Sequence, residues 1–114
     1  MGQSEHQFVK VATTGELPEG TMKLVSVAGK DVLLANVGGS YYAVLNRCTH
    51  LGGSLVKGVL ADGVVTCPRH GAQFDIRTGQ AVGPAKLGFV KMNVHDQKTF
   101  SVKVEGTDIS VAED

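Results

Sequence analysis

Short apolar runs separated by glycine-rich turns set the rhythm of this chain. Runs over residues 8–12, 22–28, 32–37 and 41–45 fill its first part, and runs over 89–94, 99–104 and 108–111 fill its last part. Val90, Met92 and Val94 alternate with Lys91, Asn93 and His95, which is the period of a half-buried strand. Phe100, Val102 and Val104 repeat the pattern. Gly29-Lys30-Asp31 predicts a turn between the second and third runs, and Gly38-Gly39-Ser40 predicts one between the third and fourth. No segment carries a helical stripe. Strands at such close and regular spacing predict an all-β chain, folded as an antiparallel sandwich or barrel.

Residues 46–85 break that rhythm and read as a small unit inserted into a single domain spanning 1–114. Short strands are expected at 64–66 and 73–76, with a hairpin turn at Ala61-Asp62-Gly63. Gly83-Pro84 is a candidate for a further loop at the end of the unit. The chain shows no internal repeat and no low-complexity stretch.

Composition narrows the function classes. Eleven basic and eleven acidic residues leave no net charge, which argues against nucleic acid or an anionic membrane surface as partner. The polar start, MGQSEHQ, lacks the apolar centre of a secretion signal, and His6 stands where a myristoylation motif wants Ser or Thr. No apolar run approaches the ~18 residues of a membrane span. A cytoplasmic, monomeric or weakly oligomeric protein is the expectation. Charge is unevenly spread: residues 47–86 hold five cations against two anions, and the remainder carries the balancing negative excess.

The chemistry is concentrated in two short segments, Cys48-Thr-His50 and Cys67-Pro-Arg-His70, with sixteen residues between them. They contain both cysteines of the chain. A structural zinc site accepts two Cys and two His, but its usual spacing pairs Cys with Cys and His with His. Here each segment mixes the two ligand types. That mixture suits a two-iron cluster with two thiolates on one iron and two imidazoles on the other. Cys48 and Cys67 spent as ligands leave no disulfide, in keeping with a reducing compartment. The remaining histidines, His6 and His95, read as solvated side chains.

The segment CTHLGGSLVKGVLADGVVTCPRHGAQFDIRTGQAVGPA, residues 48–85, resembles the cluster-binding region of Rieske-type ferredoxins. The likeness rests on both ligand pairs, the nearby Gly52 and Gly71, the proline after Cys67, the FD-x-x-TG turn and Gly83-Pro84. It implies a Rieske-type β-fold with a small inserted cluster-binding subdomain and one 2Fe–2S cluster. By that resemblance Cys48 and Cys67 hold the inner iron, while His50 and His70 hold the outer iron that is reduced. The likeness also implies a carrier, not an enzyme, passing electrons from a flavoprotein reductase to a terminal oxygenase.

Gly52, Gly53 and Gly71 crowd the ligand segments, and the expectation is that their N–H groups turn towards sulfur. Membrane-anchored relatives add a disulfide between the two loops, at positions that are Gly53 and Arg69 here. They also place Ser and Tyr hydroxyls near the cluster sulfurs, where this chain has Ala72 and Phe74. Fewer hydrogen bonds to sulfur predict a potential near the low end of the Rieske range of about −150 to +300 mV. Two other readings compete. One is the small subunit of an assimilatory nitrite reductase, which the C-P-x-H-G-x-x-F-D stretch also resembles. The other is an interaction module stapled by zinc. A full oxygenase subunit is not expected, since 114 residues leave no second domain for a catalytic iron.

Overall fold

The computed structural model describes residues 7–47, 54–68, 71–83, 85–87, 90–92 and 97–113. Four strands open the chain: β1 (Val9–Thr13), β2 (Met22–Val27), β3 (Lys30–Val37) and β4 (Ser40–Leu45). A smaller set follows: β5 (Val59–Ala61), β6 (Val64–Thr66), β7 (Gln73–Asp75) and β8 (Ala81–Gly83). A short pair, β9 (Ala85–Leu87) and β10 (Val90–Met92), leads to the closing hairpin of β11 (Thr99–Glu105) and β12 (Asp108–Glu113). Helical structure among the described residues is limited to 3-10 turns at Thr14–Glu16 and Leu55–Lys57.

Six strands form one antiparallel sheet in the order β1-β12-β11-β4-β3-β2. Its edges β1 and β2 approach each other, so the sheet curls nearly into a barrel. A second antiparallel sheet, β5-β6-β7-β8, lies wholly within residues 59–83. All-β architecture is therefore observed, as the alternation and turn spacing required.

β3 explains how the two sheets are joined. Val32, Leu34 and, from β4, Ala43 face the barrel interior with Ala12, Val25, Val27, Phe100, Ile109 and Val111. Leu33, Ala35 and Val44 point the other way and pack on Leu55, Val65, Phe74 and Ile76 of the second unit. A strand's successive side chains alternate between faces, so one apolar run serves two cores. Burial of such apolar surface, at roughly 25 cal/mol per Å², is what holds the small sheet to the large one.

Turn chemistry departs from expectation at one point. The β2–β3 turn is Ala28-Gly29, with φ of 52° and 78°; Lys30 and Asp31 already pair with Val27 and Ser26. Two positive φ values give the turn whose twist matches the flanking strands. The same geometry recurs at Gly38-Gly39 and at Asp62-Gly63. Val104 also departs from the alternation, being 44% exposed. β4 pairs with β11 only at Thr99 and Phe100, so the far end of β11 runs beyond the core. The side chains of 90–96, and with them the alternation read there, lie outside the described residues.

Candidate metal centre

Of the four expected ligands, Cys67 is described; Cys48, His50 and His70 lie outside the described residues, as do Gly52, Gly53, Arg69, His6 and His95. Cys67 directly follows β6 and is 1% exposed. It belongs to the same apolar cluster as Leu55, Ala72, Phe74 and Ile76. The β6–β7 connection, residues 67–72, is closed by backbone hydrogen bonds. Cys67 N–H donates to Ala72 C=O at 2.7 Å, and Gly71 N–H donates to Cys67 C=O at 3.2 Å. Gly71 has φ +76° with open space where a Cβ would go, so the turn's conformation, not crowding, calls for glycine. The N–H of Gly71 thus helps to close the loop on the carbonyl of Cys67.

The FDIRTG stretch forms a turn at the far end of β7, where Ile76 N–H donates to Gly63 C=O. Asp75 Oδ1 accepts from Arg77 N–H at 2.9 Å and from Arg77 Nε–H at 3.1 Å, and Oδ2 accepts from Nη2–H at 3.3 Å. The Arg77 guanidinium holds the Asp75 carboxyl below the usual carboxylate range, against a smaller opposing effect of burial. Thr78 Oγ1 accepts from Gln80 N–H. Gly79 N–H returns to Asp75 C=O at 2.7 Å, and a Cβ at Gly79 would lie 2.3 Å from the Gln97 carbonyl oxygen. The motif is a tight turn braced against residue 97.

The first ligand segment leaves the barrel at the end of β4 and returns at Ser54. Asn46, 8% exposed, sits at its base. Its Nδ2 donates to Ser54 Oγ at 2.9 Å, and its Oδ1 accepts from Val56 N–H at 2.7 Å. Its backbone N–H is bound to Asp31 C=O at 2.9 Å. Gln97, 5% exposed, donates from Nε2 to Arg47 C=O, and its backbone N–H donates to Gly79 C=O. Sequence reasoning missed Asn46 and Gln97. An Asn after an apolar run looks like any loop residue, and Gln97 is separated from Arg47 by 50 positions.

Beside this segment runs a groove of about 600 Å³, lined by Leu24, Lys30, Leu45, Arg47 and Lys57 among others. Lys30 is tied to Glu113 at 2.7 Å, which leaves Arg47 and Lys57 against Asp31 in the lining. No cluster of three or more His, Cys, Asp or Glu positioned for a metal occurs among the described residues, three of the four expected ligands lying outside them. A thiol buried in an apolar wall is unreactive by itself but suits the inner iron of a cluster, where thiolate charge is offset by metal and solvent is excluded. The burial of Cys67 and the two thiols and two imidazoles of the ligand segments suit the chemistry of a 2Fe–2S centre.

Residues 7–92 match the model of the Rieske [2Fe-2S] domain. The chain is 36% identical over 105 residues to the ferredoxin component of biphenyl 2,3-dioxygenase from Rhodococcus jostii, covering 91% of each chain. It is also 36% identical to the ferredoxin component of a naphthalene 1,2-dioxygenase system from Pseudomonas aeruginosa, covering 92% of this chain and 94% of that one. Among solved structures it superposes on the ferredoxin of carbazole 1,9a-dioxygenase from Nocardioides aromaticivorans with a TM-score of 0.81 and 34% identity, covering 94% of this chain and 98% of the other.

Proposed function

This chain belongs to the Rieske 2Fe–2S domain family, and from that premise we infer that it is a one-electron carrier between a flavoprotein reductase and a terminal oxygenase. Its cofactor is one 2Fe–2S cluster. The observation that carries the reading is the near-full-length match, in both directions, to proteins that are themselves ferredoxin components of oxygenase systems. Membership removes the zinc-stapled module from consideration, and these relatives favour the oxygenase system over a nitrite reductase.

When bound, the cluster supplies a reversible one-electron couple. The chain supplies the rest. Cys48 and Cys67 are the proposed ligands of the inner iron, and His50 and His70 of the outer one. Leu55, Ala72, Phe74 and Ile76 exclude water around Cys67. Backbone bonds from Cys67 N–H to Ala72 C=O and from Gly71 N–H to Cys67 C=O brace the turn that carries Cys67, which would limit rearrangement on transfer. Arg47 and Lys57 flank the first segment and would favour an acidic partner surface, raising the encounter rate at low salt. No described helix is long and apolar enough to cross a membrane. We place the carrier in the cytoplasm, on the strength of two cysteines committed to metal.

Iron and acid-labile sulfide analysis tests the centre. Two of each per chain are expected, with nitrogen hyperfine coupling from two imidazoles in the reduced protein. Cys48→Ala and Cys67→Ala should abolish the cluster, and His95→Ala should leave it intact. Zinc without sulfide after anaerobic purification would overturn the assignment. Reduction by an NAD(P)H-dependent flavoprotein and reoxidation by an oxygenase, followed by stopped-flow absorbance, tests the role.

A further inference from the structure

We propose that Asn46 is a positioning residue for the segment that carries Cys48 and His50, its carboxamide pinning the two ends of that segment together. The proposal rests on the ligand reading above and adds a residue to it. The segment departs after Asn46-Arg47 and returns at Ser54, and Asn46 reaches across that gap. Its amide donates to Ser54 Oγ at 2.9 Å, and its carbonyl oxygen accepts from Val56 N–H at 2.7 Å. Both partners lie where the chain returns, Ser54 at the start of the Leu55–Lys57 3-10 turn and Val56 within it. The side chain is buried, and its backbone N–H is held by Asp31 C=O on β3. The clamp is therefore anchored to the barrel and not merely to the segment it closes. Gln97 completes it from the other side by donating to Arg47 C=O.

A buried amide satisfied at both ends stabilises one geometry, because breaking either bond strands a polar group away from water. Fixing the two ends of the segment restricts the conformations open to the ligands between them. Without it, the ends of the segment separate more readily and ligand release becomes easier.

The fold provides a matched control. Asn36 is 5% exposed; its Nδ2 donates to Leu17 C=O at 2.9 Å and its Oδ1 accepts from Gly39 N–H at 3.0 Å. It too donates one bond and accepts one, tying the β3–β4 turn to Leu17 and flanking neither ligand segment in the chain. Asn36→Ala and Asn46→Ala should cost similar global stability in denaturant. Only Asn46→Ala should speed bleaching of the holoprotein by a chelator, by about tenfold, equivalent to about 1.4 kcal/mol. It should also broaden the EPR signal of the reduced protein, which Asn36→Ala should not. Asn46→Asp keeps the acceptor for Val56 N–H, and the Ser54 hydroxyl can turn to donate to it. Cluster retention should return to near the parent rate, while the added negative charge lowers the reduction potential. Ser54→Ala removes one of the two bonds and should speed bleaching by about threefold, a readout that survives if Asn46→Ala folds poorly. Bleaching and EPR for Asn46→Ala and Ser54→Ala no different from Asn36→Ala, at matched unfolding stability, would overturn the proposal. Failure of the ligand reading would show separately, as Cys48→Ala retaining two irons and two sulfides.

Discussion

Leu33 and Leu34 are neighbours on β3, both fully buried, and they face different cores. Truncating either to Ala removes the same atoms from an apolar environment, so each should cost about 2–5 kcal/mol. Against a total of roughly 5–15 kcal/mol that is a large share. At roughly 4–8 °C per kcal/mol for a domain of about 100 residues, a loss of about 3 kcal/mol lowers Tm by roughly 12–24 °C. The two variants should nonetheless fail differently. Leu34→Ala opens a cavity inside the barrel, on which the smaller sheet depends, so backbone structure and cluster should be lost together. Leu33→Ala weakens the seam between barrel and cluster unit, where Leu55, Val65, Phe74 and Ile76 pack. The unit should then open while the barrel persists, as sub-global unfolding. Denaturant titration followed by far-UV circular dichroism and by visible absorbance separates these outcomes. For Leu33→Ala the visible transition should precede the far-UV one; for Leu34→Ala the two should coincide. Coincident transitions in both variants would show that the seam is not a separate boundary, and the account of β3 would fall.

Further outcomes follow from other parts of the structure. Ala72 and Phe74 are fully buried in the cluster of side chains that includes Cys67; Ala72→Ser and Phe74→Tyr should each raise the reduction potential, 59 mV marking a tenfold change in a one-electron equilibrium, and a negative shift of the double variant in voltammetry would contradict the hydrogen-bond argument. Glu113 is bound by Lys30 and Lys98, which lower its pKa from 4.5 to about 2. Its folded value lies below the unfolded one, so its stabilisation is complete above about pH 4.5 and is lost as pH falls towards 2. Glu113→Gln should therefore trail the parent in denaturant stability at pH 7, with the gap closing across that window and shrinking in salt; a gap independent of pH would refute this. Gly58 has an ordinary φ of −88°, yet a Cβ there would meet Thr66 O at 1.9 Å, whereas Gly71 has φ +76° and open space. Gly71→Ala should cost about 1–2 kcal/mol from backbone strain alone, and Gly58→Ala more, with thermal melts giving the order.

Local sequence carried a large part of this protein. Cys48-x-His50 and Cys67-x-x-His70 propose a mixed-ligand metal site from the sequence alone, because ligand type and short spacing are local properties. The strand rhythm was legible too, because turns such as Gly38-Gly39 and Asp62-Gly63 need positive φ and the residues show it. What the chain alone left open was decided by contact between distant segments. The apolar run of β3 reads as one buried strand, and nothing in its composition says that Leu33 and Leu34 serve separate cores. Gly58 and Gly71 look alike as letters; one is demanded by a passing carbonyl and the other by its own backbone. Asn46 and Gln97 became visible only when folding brought Val56 and Arg47 to them. Buried polar groups must find partners, but which partners is a matter of tertiary geometry, since the hydrogen bond is short-ranged in space and indifferent to separation along the chain.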